Sequence, residues 1–147
     1  MKHLLSASLL LAFGIILAQA QPKLIRVPQD QPTVQAGIDA AVNGDTVLVA
    51  EGTYNVNLVL AKKIVLGSLY IVDGDTSHIS QTILDGGTPA VADSASVIRI
   101  GPGTDTTTVV AGFTIRNGRG TFVADSYGQY VTGGGVCMLS PRLTSKR

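Results

Sequence analysis

Cysteine, aromatic residues and charge are all scarce in this chain, and each scarcity excludes something. Of 147 residues one is cysteine, Cys137, so no internal disulfide can form and stability must come from packing and backbone pairing. A small buried apolar side chain is the expected state of that thiol, with pairing between molecules as the alternative. Tryptophan is absent and aromatics make up 5%, which argues against a core built on large rings. Charged residues amount to 14% against 45% apolar, which separates the chain from disordered sequences. No basic stripe runs along it, so nucleic acid is not an expected partner. No polybasic amphipathic helix is present to lie on a membrane surface.

The N-terminus is read separately. Lys2 and His3 precede an apolar run over residues 4–18, broken by Ser6 and Ser8, and Ala18-Gln19-Ala20 is a small-x-small cleavage signal. This is the pattern of a secretory signal peptide cut after Ala20, and it predicts a secreted or cell-surface protein. An uncleaved anchor is the alternative, but the run is short for a bilayer span of about 20 residues. Without residues 1–20 the chain carries 10 basic and 10 acidic side chains, and Arg142, Lys146 and Arg147 crowd the last six positions.

What is abundant is glycine, with 17, among short β-prone runs. That mix suits many short strands and tight turns. "LIRV" (24–27) reads as a first strand. A short amphipathic helix follows over 32–41, with Asp30 as N-cap, Pro32 in the first turn, Val34, Ile38 and Ala41 on one face, and Asn43-Gly44 as a left-handed stop. Strands are then expected at 46–50, 56–60, 63–67, 69–74, 82–86, 96–100 and 108–115, with another starting at 133–139, and a polar loop at 73–81. Val65, Ile83, Ile98 and Phe113 recur at loosely even spacing, which favours a solenoid of short strands over an antiparallel sandwich.

"VQAGIDAAVNGDTVLVAEGTY", followed by "TILDGG" and "VVAGFTIRNG", resembles the opening of secreted bacterial right-handed parallel β-helix proteins of the pectin-lyase-like kind. The resemblance covers residues 34–120. It implies an all-β solenoid over residues 21–140 with a short N-terminal capping helix. It implies a compartment more than a chemistry, because the fold carries many activities and also modules with none. "VTGGGVCMLS" looks like the start of a further coil, and "SPRLT" (140–144) like the next strand. The polar tail 141–147 lacks a capping pattern, so the reading is of an N-terminal piece of a longer protein, or an altered reading frame. A short form whose tail caps the stack is the alternative. An uncapped last coil would present unpaired strand edges for self-association.

Lyases of this family use acidic residues to hold calcium, with an Arg or Lys base alongside. Arg99, Arg116 and Asp85 are the candidates here, although no acidic cluster in the sequence is matched to either Arg, and a solvated side chain is the simpler reading. Asp73 and Asp75 flank Gly74, but the other positions of a calcium loop are missing, so a turn is expected. His78 is the one histidine beyond residue 20 and is expected to be exposed and idle. "GPGTD" (101–105) lacks the Gly-Lys-Ser/Thr ending of a phosphate loop. No nucleophile elbow is present. Asn57 and Asn117 are expected to be structural, at corners of the chain. Tyr54 and Tyr70 should pack, whereas Tyr127 and Tyr130, in "VADSYGQYVTGGG", are better placed to meet a sugar. No catalytic, cofactor or metal residue is assigned. The expected function is a secreted surface or structural module in contact with carbohydrate. The rival is the N-terminal part of a polysaccharide lyase or glycoside hydrolase, with calcium implied in the lyase case.

Overall fold

The computed structural model describes residues 21–88, 94–125, 128–131 and 133–138. The expected signal peptide, Tyr127 and the tail from residue 139 lie outside these residues. The elements are β1 (Leu24–Val27), α1 (Val34–Ala40), β2 (Thr46–Val49), β3 (Gly52–Asn55), β4 (Leu58–Leu60), β5 (Val65–Ser68), α2 (Tyr70–Asp73), α3 (Ser77–Gln81), β6 (Thr82–Asp85), β7 (Ser94–Ala95), β8 (Ile98–Ile100), β9 (Val109–Ala111), β10 (Thr114–Arg116), β11 (Gly120–Asp125), β12 (Gly128–Val131) and β13 (Val136–Met138). The protein is thus mostly strands, and most of the strands lie in parallel sheets.

Among the described residues three sheets are parallel, with strand orders β1-β2-β5-β9, β10-β6-β3 and β13-β8-β4. From β2 onward the chain visits the first, second and third sheet, then repeats that order twice. Successive passes stack in register. Val47 lies beside Leu66 and Leu66 beside Val110; Tyr54, Leu84 and Ile115 form a second row; Leu58, Ile98 and Val136 form a third. These rows make the core, up to Val136, which ends the third row and is 43% exposed. Parallel strands buried this way need apolar residues at alternate positions, and Val47, Val49, Leu58, Leu60, Leu66, Leu84 and Ile98 supply them.

Helix α1 covers the start of the stack, packing on β1, β2 and β4 through Val34, Ile38 and Ala41. Its N-cap is Thr33, whose hydroxyl accepts from Ala36 N at 3.1 Å. The sequence points to Asp30, but that carboxylate instead accepts from Arg26 N on the outer edge of β1, at 2.8 Å. Pro32 therefore precedes the cap. The stop is also different. Gly44 is left-handed, but the helix leaves through an extended Ala41. Its last carbonyls are held by Lys62, whose ammonium donates to Ile38 O, Asp39 O and Ala41 O at 3.0, 2.7 and 2.7 Å. The Gln35 amide donates to Val59 O and accepts from Val59 N, so a side chain of α1 closes the edge of β4.

Further expectations are corrected. Residues 69–74 form α2, not a strand. Gly67 leaves no side chain where Ile71 sits, since a Cβ there would lie 2.5 Å from Ile71 Cδ1, and left-handed Gly74 returns its N–H to Tyr70 O. The polar loop contains α3. Residues 108–115 are two strands, β9 and β10, split at Gly112, where φ is +84° and a Cβ would strike Ser68 Oγ. The segment holding Tyr130 is an antiparallel hairpin of β11 and β12, with β7 on its other side, not a loop. The evenly spaced anchors also prove not to be equivalent. Val65, Ile83 and Ile98 lie in three different sheets, and Phe113 lies between β9 and β10.

Candidate functional site

Two polar clusters gather the acidic and basic side chains singled out in the sequence, Arg99 excepted, on the second sheet and at its entrance. The first is centred on Asp85, the last residue of β6. Register places it beside Asn55 on one side and Arg116 on the other. Arg116 Nε donates to Asp85 Oδ2 at 2.7 Å, Asn117 Nδ2 reaches both carboxylate oxygens at 3.0 and 3.1 Å, and Gly87 N donates to Oδ1 at 3.0 Å. Asn117 and then Arg116 hold this carboxyl below its ordinary range. The left-handed φ of +58° at Asn117 aims its amide at Asp85, so this Asn is a corner residue that bonds across the stack.

Asp85 and Arg116 thus meet, whereas Arg99 is carried on β8 of the third sheet, beside Val59 and Cys137. The Asp85 oxygens face a guanidinium, an amide NH₂ and a backbone N–H. That donor set suits a carboxylate and does not fit a calcium ion, which needs converging oxygens. Among the described residues no group of three or more His, Cys, Asp or Glu side chains is placed to hold a metal.

The second cluster lies where the chain crosses from the first sheet to the second. The first pass makes that crossing in the short corner at Ala50 and Glu51, the third at Gly112 and Phe113, and the second takes the excursion of residues 69–81. His78, expected to be idle, is the centre of this cluster. Its Nδ1 lies 2.6 Å from Glu51 Oε1 and its Nε2 lies 3.0 Å from Asp73 Oδ2. The two carboxylates, Glu51 first, raise the His78 pKa above its usual value. Asp73 and Asp75 do form turns, accepting from Asp75 N and Ser77 N at 2.9 and 2.8 Å. Both carboxyls are held low, chiefly by those backbone donors.

The other candidates have structural partners. Asn57 Nδ2 donates to Ser96 O at 3.0 Å, tying two passes, but Asn57 is not left-handed. Asp105 takes Thr107 and Lys63, which hold its pKa at about 2. Tyr54 packs on the core with its hydroxyl on Ala50 O, and burial raises its pKa. Tyr70 opens α2, and Cys137 is buried. Asp45 carries no signal in the sequence except its place after Asn43-Gly44. It is buried and accepts from Val42 N and Lys23 N, which hold its carboxyl low and join the exit of α1 to the entrance of β1.

Two surface hollows are lined by none of the cluster side chains, but the second borders Ala50 and Leu69, in the corner and the excursion of the His78 cluster. One of 460 Å³ is lined by the end of α1 with Lys62 and Gly103, and an apolar one of 220 Å³ by Arg26, Pro28, Leu48 and Leu69. Among the described residues no helix is long and apolar enough to cross a membrane. No protein-family model, no curated protein and no solved structure matches the chain.

Proposed function

We propose that this chain forms the N-terminal part of a secreted right-handed parallel β-helix and serves as a surface or structural module in contact with carbohydrate. The observation that carries this reading is the thrice-repeated passage through three parallel sheets, with polar side chains spent on tying one pass to the next. Asp85 binds Arg116 and Asn117 across the stack, and Asn57 binds Ser96. These are the bonds of a scaffold. A base in a lyase must reach a proton of its substrate, and the Arg116 guanidinium is instead engaged at 2.7 Å by the Asp85 carboxylate.

The contact face in this reading is the outer row of the second sheet, Asn55, Asp85 and Arg116. Tyr54, Leu84 and Ile115 occupy the alternate, inward positions. The row offers the Asn55 amide and the Arg116 guanidinium two strands apart, about 9.6 Å, on either side of the buried Asp85 carboxylate, as donors for hydroxyl and carboxylate groups of an extended polysaccharide. Retention on immobilised acidic and neutral polysaccharides tests it. Binding of the protein to at least one acidic glycan, weakened about tenfold or more in Arg116→Ala, without release of reducing or unsaturated ends, is the expected result. Release of such ends would favour the lyase or hydrolase reading. Absence of retention on every glycan would leave a scaffold alone.

A further inference from the structure

We infer that the excursion of residues 69–81 is a pH-dependent strap, latched to the neighbouring corner while His78 carries two protons and loosened when it loses one. The geometry of the ring requires this. Both nitrogens lie within hydrogen-bond distance of carboxylate oxygens, Nδ1 of Glu51 at 2.6 Å and Nε2 of Asp73 at 3.0 Å. An ionised carboxylate only accepts, so both ring nitrogens must donate, and only the imidazolium has two N–H groups. A neutral ring turns a lone pair toward one of the carboxylates. The latch then loses a hydrogen bond and gains a repulsion.

The two partners belong to different parts of the chain. Asp73 ends α2 inside the excursion, whereas Glu51 sits in the corner between β2 and β3. The imidazolium therefore ties the excursion to the first pass. Among the described residues the remaining charge facing the ring is Asp75, from the connection between α2 and α3, and it also favours the cation. The strands packed against α3 are β6 and β10. Their charged groups, Asp85 and Arg116, stand at the far ends of those strands and bind each other. From β10 the excursion receives the uncharged Thr114, whose hydroxyl donates to Ile79 O at 2.8 Å. The side chain of His78 is 15% exposed, so protons reach it from solvent.

The sign follows from the partners. They raise the folded-state pKa of His78 above the unfolded value of about 6.5. The latch thus contributes fully below that unfolded value and is lost as pH rises through the folded one. Loosening frees Ile71 from the outer face of the first sheet at Gly67, where the two are in close contact.

The test is NMR on the full chain between about pH 6 and pH 9. It follows the His78 ring and the amide exchange of residues 70–81, corrected for intrinsic exchange. The expected result is a His78 midpoint above 6.5 and a loss of protection in the excursion of about threefold or more at the same midpoint, with β2 and β5 unchanged. His78→Gln should abolish the step. Glu51→Gln, which keeps shape and removes one charge, should lower the midpoint and shrink the step, and it carries the test if His78→Gln fails to fold. A midpoint at or below 6.5, a step below threefold, or a step unchanged in Glu51→Gln would overturn the inference.

Discussion

Leu66→Ala is expected to destabilise the protein by about 2–5 kcal/mol, the range for truncating a fully buried leucine. Leu66 is 0% exposed and stands in the middle of a row, with Val47 on one side and Val110 on the other. Removing its isobutyl group leaves a cavity between two strands whose backbones are held by the ladder on both sides, so the site cannot collapse to fill it. Met138→Ala, at a position 75% exposed, should change stability by no more than about 0.5 kcal/mol. Urea unfolding of the two variants measures both. An unchanged slope with a lowered midpoint for Leu66→Ala alone is the expected pattern. Equal effects would show that the rows are not the core.

Lys62→Met is the second large effect, with an expected loss of about 2–3 kcal/mol. The last carbonyls of a helix have no partner within it. In α1 three carbonyls, of Ile38, Asp39 and Ala41, converge on one ammonium. The charge also complements the negative end of the helix dipole. Methionine keeps most of the stem and its packing while removing all three donors. The loss should therefore appear first as faster amide exchange in α1, with the amides of β5 and β6 following only at global unfolding. Uniform loss of protection would mean that Lys62 stabilises the stack by some other contact.

The strands that carry the core are legible because their residues are ordinary for buried strands. "LIRV", "TVLV" and "TILD" are short apolar runs rich in strand-favouring residues, and all three are strands of the parallel sheets. "LYIVDG" shows the opposite case. Tyr70, Ile71 and Val72 favour strands locally, but Gly67 opens a seat for Ile71 and Gly74 closes a helical turn, so tertiary contact decides. The repeat is legible as a tendency and not as a register. Residues that stack, such as Leu58 with Ile98, are separated by excursions of unequal length, and evenly spaced apolar residues fall on different sheets.

The clusters are illegible for the same reason. Arg116 is 31 residues from Asp85, and Glu51 is 27 from His78. No local pattern marks such pairs, because only the stacking of passes brings them together. Lys62 is equally silent. A lysine 24 residues beyond Ile38 becomes a helix cap only once β4 lies beneath α1.

The core rows, the Asp85 cluster and the proposed contact face all depend on the stacking of passes, and cysteine pairs in the second sheet test it most directly. Thr53 pairs with Ile83, and Ile83 with Thr114. Neighbouring strands lie about 4.8 Å apart, within the reach of a disulfide, whereas strands two apart lie at about twice that distance and beyond its reach of about 7 Å. In a Cys137→Ser background, mild oxidation should close Thr53→Cys with Ile83→Cys, and Ile83→Cys with Thr114→Cys, each as a single intramolecular cross-link seen by peptide mass. Thr53→Cys with Thr114→Cys should stay reduced. Closure of that third pair, with the first two open, would contradict the stacked order and with it the scaffold built on it.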